Sequence, residues 1–196
     1  SLMNLQAPAQ AQAMNTESLE MLRDLIDEKG YREHEHLIVV SLHNQAEYLL
    51  QRNRREPALE QIEISIQRAR RLILDGRPNC ENFLAHSCFV RARIYRAQNR
   101  LDKALNDVSE ASDIYRQLVT ETGHEAWWPE LGHMLCLKAD ILREMGRQRE
   151  SEALIREIMA RMEAHFDSPF GGKCREVYRK AVRSRSVPSR RTIENR

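Results

Sequence analysis

Apolar residues recur along this chain at helical spacing, in blocks broken at regular intervals. Phe83, Leu84, Cys88, Ala92 and Tyr95 keep that spacing up to Asn99. Leu101, Ala104, Leu105, Val108, Ala111, Tyr115 and Leu118 resume it beyond the break. Each block predicts an amphipathic helix with one apolar stripe and an otherwise charged surface. Two such blocks flanking a short polar break predict a helix pair.

The pair is repeated. Asn53-Arg54, Asn99-Arg100 and Gly146-Arg147 lie 46 and then 47 residues apart. Seven residues before each stands a small side chain (Ala46, Ala92, Ala139), and four before each a large one (Leu49, Tyr95, Leu142). Five residues after come Ala58, Ala104 and Ser151, and nine after come Ile62, Val108 and Ile155. Sixteen after stand Ala69, Tyr115 and Met162. Small residues on facing positions let two antiparallel helix axes approach closely while the large ones fill the space beside them. Gly30, Gly76 and Gly123 share the period, and Gly171-Gly172 follows at a similar interval. Glycine accepts the left-handed conformation that closes a helix, so these positions read as helix ends. Pro78 and Pro129 mark new starts after two of them.

A small residue, a large one three on, a turn, then a small residue and a large one four later resembles the tetratricopeptide repeat. Ala92, Tyr95, Asn99, Ala104, Val108 and Ala111 carry the pattern, with equivalents in the flanking units, over about residues 35–166. The period is longer than the family's usual value of about 34 residues, and Leu42, Cys88 and Leu135 replace its early aromatic. The resemblance implies an all-α fold of antiparallel helix-pair repeats forming a right-handed superhelix, an α-solenoid of the long-helix kind. Repeats are expected over about 35–76, 81–123 and 128–171, within a repeat domain covering 16–172. A leading half-repeat, 16–30, would carry Leu19, Leu22, Leu25 and Ile26, with Thr16 as its N-cap and Glu17 and Glu20 in its first turn. Residues 1–15 read as a flexible arm and 173–196 as a basic capping helix and tail.

That last segment changes the charge picture. It holds nine basic side chains against two acidic ones, a net +7 within a chain of +2, so the preceding residues carry −5. An acidic repeat body opposes a groove that tracks phosphates, and nucleic acid is not expected as a partner. Arg175, Arg179 and Arg183 fall on one stripe of the segment and Val177 and Ala181 on another, the pattern of a cap whose apolar side covers the last repeat. No apolar run approaches the roughly 18 residues that would cross a bilayer. Cys80, Cys88, Cys136 and Cys174 form no zinc-knuckle spacing and read as reduced thiols of a cytoplasmic protein.

The resemblance also places a concave surface on the first helix of each unit. Its groove-facing positions here are His43, Asn44 and Glu47, then His86, Phe89, Arg93 and Arg96, then His133, Cys136, Asp140 and Arg143. The Lys and Asn residues with which some tetratricopeptide domains clamp a C-terminal carboxylate are absent from them. Glu47, Arg93 and Asp140 are equivalent and alternate in sign, which reads as salt bridging between stacked helices. Arg93, Arg96 and Arg143 are the candidates for meeting an acidic partner, since a guanidinium offers a planar, bidentate donor fork. Trp127 and Trp128 read as a seal between helix pairs. No metal site is assigned to the histidines, no cofactor is expected, and no catalytic motif is present, so the chain is not read as an enzyme. The expected function is a protein–protein interaction scaffold or adaptor that holds a partner peptide or helix in the groove. The competing expectation is a sensory or regulatory repeat region binding a signalling peptide or small effector. Open solenoid ends would leave apolar helix faces available for self-association.

Overall fold

Three helix-to-helix turns hold a left-handed residue where the repeat predicts one: Asn53 and Asn99 at φ 59° and Gly146 at φ 79°. At the first, the amide of Arg54 reaches back to the carbonyl of Leu49, and at the last, Arg147 reaches Leu142. Such back-bonds satisfy carbonyls that a helix end leaves open. Asparagine tolerates the left-handed region better than other side chains, and glycine pays nothing there. Gly30, Gly76 and Gly123 are left-handed as well.

The computed structural model describes residues 14–22, 24–26, 30, 34–77, 80–123 and 125–186. The expected arm up to residue 13, Pro78, and the tail from residue 187 with Arg190, Arg191 and Arg196 lie outside these. The described residues are helical with short turns, and none is in a strand. Helix α1 covers residues 14–22 and 24–26. It is followed by α2 (Glu35–Gln51), α3 (Arg55–Leu74), α4 (Glu81–Ala97) and α5 (Leu101–Thr122). A 3-10 turn, Glu125–Trp127, leads into α6 (Trp128–Glu144), then α7 (Gln148–Glu163) and α8 (Gly171–Ser186). The chain divides into two compact units between Gln98 and Asn99, at the middle turn.

In the first unit, Leu19 and Ile26 of α1 pack on Ile38 and Leu42 of α2, and the Asn15 side chain donates to the Ser41 carbonyl at 2.9 Å. Helix α2 packs on α3, and α3 on α4. Ala46 and Ala58, the small residues of the first pair, have no exposed surface. Where α3 begins and α4 ends, Arg55 donates to the Ala97 carbonyl at 2.5 Å and Gln98 to Glu56 at 2.9 Å.

In the second unit, α5 buries Ala104, Val108, Ala111 and Tyr115 completely. Ser151 stands where the other repeats have alanine. Its buried hydroxyl donates to the Ala139 carbonyl at 2.7 Å, which removes the cost of placing it there. Helix α8 packs on both α6 and α7. Cys174, Val177 and Ala181 are fully buried on it, whereas Arg175, Arg179 and Arg183 are exposed.

Two local expectations are corrected. Helix α1 is already running at Met14, so Thr16 is a helical residue rather than a cap; the Asn15–Ser41 bond holds this early turn against α2. Gly171 opens α8 rather than closing α7, which ends at Glu163. A Cβ on Gly171 would stand 1.9 Å from the Phe166 carbonyl oxygen, so glycine is needed there for a close backbone approach.

Candidate functional site

The two units present their candidate residues differently. In the first, α2 and α4 pack against each other, and His43 and His86 meet edge to face with ring centroids 5.8 Å apart. One turn earlier on each helix, Val39, Val40 and Phe83 supply apolar walls. Together with Asn44 these residues line a pocket of about 200 Å³. Phe83 is itself stacked on His36 of α2 at 5.9 Å.

His43, Asn44 and His86 are the polar residues of its lining. The His43 Nδ1 has essentially no accessible surface and no hydrogen-bond partner among the described residues. Burial first, and then the neighbouring His86, lower its pKa from 6.5 to about 4, with Glu47 pulling weakly the other way. The imidazole is therefore neutral at pH 7 and offers either an acceptor or a donor edge. Next to the pocket, Arg93 forms an ion pair with Glu47 across the two helices and lies over the Phe89 ring at 5.9 Å. Arg96 is half-buried in the last turn of α4, where a cation complements the helix dipole.

In the second unit, α8 occupies the face where His133, Cys136, Asp140 and Arg143 lie. Arg143 pairs with Asp140 at 2.8 Å, both side chains being under 15% exposed, and also donates to the Ser184 carbonyl of α8. Burial pushes the Cys136 thiol up to about 12 against the opposing pull of Lys180. His133 is lowered by burial, with Lys180 acting in the same sense. Arg143, expected to meet an external partner, has its guanidinium committed within its own unit. Asp140 likewise pairs along its own helix, one turn away.

Trp127 and Trp128 are packed residues. Trp127 meets Tyr115 edge to face at 5.5 Å. Trp128 stacks on His165 at 4.9 Å, with Arg161 over its ring. They join α5, α6 and α7, as the sealing reading expects.

Val39, Val40 and Phe83 are not legible as site residues in the sequence, because an apolar residue at helical spacing reads as core. The signal available was their position one turn before a histidine on two equivalent helices. Among the described residues no three His, Cys, Asp or Glu side chains come together as a set able to hold a metal ion. No described helix is long and apolar enough to cross a membrane. The chain matches no protein-family model, no curated protein and no solved structure in the comparisons made with each.

Proposed function

We propose that this chain is a tetratricopeptide-like helical-repeat module, a long-period α-solenoid, that holds a partner peptide or helix through the surface made by α2 and α4. The observation that carries this reading is the His43–His86 pocket. It is an apolar recess between the first helices of consecutive repeats, walled by Val39, Val40 and Phe83. Partner recognition by helical repeats concentrates on such anchor pockets, while the surrounding charged positions set orientation. The Glu47–Arg93 pair beside it belongs to that rim. The equivalent positions of α6 are engaged with α8, so they do not share the role.

Random-peptide display against the immobilised chain tests this. Peptides retained by the wild type are expected to lose at least tenfold in affinity on the Asn44→Arg variant. That change hangs a bulky cation over the pocket from an exposed position and leaves the helices intact by circular dichroism. Equal retention by the variant, or no retained peptide at all, contradicts the proposal.

A further inference from the structure

We propose that α1 of one molecule docks on α8 of a second copy of this chain, head to tail, an acidic methionine-bearing face meeting an arginine stripe. The contact uses neither the α2–α4 surface nor its pocket.

Both helices have one side buried within their own unit and the other side open. On α1, Leu19 and Ile26 pack on α2, whereas Met14 is 70% and Met21 55% exposed. The i, i+3, i+7 and i+10 spacing of Met14, Glu17, Met21 and Asp24 keeps them on one stripe, with Glu20 exposed beside it. On α8, Cys174, Val177 and Ala181 are buried, and Arg175, Arg179, Val182 and Arg183 are exposed.

Complementarity of charge and spacing selects a second copy as the occupant. The open side of α1 holds three carboxylates, and that of α8 holds three guanidiniums around Val182. With a rise of about 1.5 Å per residue, Glu17 and Asp24 stand about 10 Å apart along the axis, and Arg175 and Arg183 about 12 Å apart. Antiparallel docking therefore sets Glu17 against Arg183 and Asp24 against Arg175. Met21 then lies over the aliphatic stem of Arg179 and beside Val182, where its flexible thioether fills an uneven gap. Arg175 is engaged at the surface by Asp167 at 3.9 Å, an exposed pair that contributes little and yields to a better-placed carboxylate. Pairing α1 with α1, or α8 with α8, opposes like charges. A phosphate surface would satisfy the α8 stripe but would repel the α1 carboxylates and leave the methionines in water.

Sedimentation velocity of the full chain tests the contact, over a concentration series up to about 1 mM, the range in which weak contacts are populated. The wild type is expected to self-associate, and less so as salt rises, because exposed charges are screened. Glu17→Lys with Asp24→Lys, and separately Arg179→Glu with Arg183→Glu, should each weaken association by at least about tenfold, since like charges then face each other. An equimolar mixture of the two variants should associate again, because each reversed face meets its complement on the other chain. Such rescue does not come from a variant that has merely lost its fold. A wild type that stays monomeric throughout the series overturns the proposal. So does association that either reversal leaves unchanged, or a mixture that stays monomeric. A monomeric chain held on phosphatidylcholine–phosphatidylserine vesicles, and released by Arg179→Glu with Arg183→Glu, also overturns it and assigns the stripe to an anionic membrane.

Discussion

Ser65 and Ser87 bond to each other at 2.9 Å in a layer where neither has any exposed surface. Ser65 spends its single proton on the Val39 carbonyl at 3.0 Å, so Ser87 is the donor between the two hydroxyls. One proton-ordered chain thus ties α4 to α3 and α3 to α2, directly behind the pocket wall that Val39 contributes.

Ser65→Ala is expected to cost about 1–3 kcal/mol, because it strands the Ser87 hydroxyl among apolar groups. Adding Ser87→Ala should recover part of that loss, so the double variant is less destabilised than the sum of the singles. Urea unfolding of all four species measures the coupling. Strict additivity would mean that the two hydroxyls do not interact.

Gly132 of α6 lies close against Val177 of α8. A Cβ on Gly132 would lie 2.7 Å from Val177 Cγ1 and 3.1 Å from the sulfur of Met162. Gly132→Ala is therefore expected to destabilise the second unit by roughly 1–3 kcal/mol through overpacking. Val177→Ala in that background should restore part of it. Hydrogen exchange over α8 is the readout, and faster exchange there in the single variant is the expected outcome.

Much of this fold was legible because glycine, asparagine and alanine punctuate the chain at a fixed interval. Asn53 and Gly146 look unrelated by composition, yet both satisfy one backbone requirement, and the period exposes it. Buried polar bonds such as Ser151 to Ala139 were not legible as bonds, since a serine at a small position differs from alanine only in what its hydroxyl meets. The candidate site was half legible. Position marks His43, Glu47, His86 and Arg93, but which side chains an arginine pairs with depends on neighbouring helices. Arg143 meets Ser184, 41 residues away, a distance the repeat period does not encode.

His43 makes the first unit sensitive to acid. Its pKa is about 4 in the folded chain against an ordinary 6.5, so the unfolded chain takes up the proton first. Stability from this group is constant above pH 6.5, falls as pH drops towards 4, and levels off below. At pH 5 the loss amounts to about 2 kcal/mol. His43→Phe should remove that part of the pH dependence. Urea unfolding of wild type and variant at pH 7 and pH 5 checks it, and an unchanged difference between the two pH values would place the acid sensitivity elsewhere.

Chemical-shift mapping of a display-selected peptide on the isotopically labelled full chain tests the central claim most directly. The account expects the largest amide shifts within residues 39–47 of α2 and 83–93 of α4, with the His43 and His86 ring protons moving alongside them. Shifts concentrated instead on α6 and α8, or on the outward arginines Arg175, Arg179 and Arg183, would contradict the assignment of the binding face to α2 and α4.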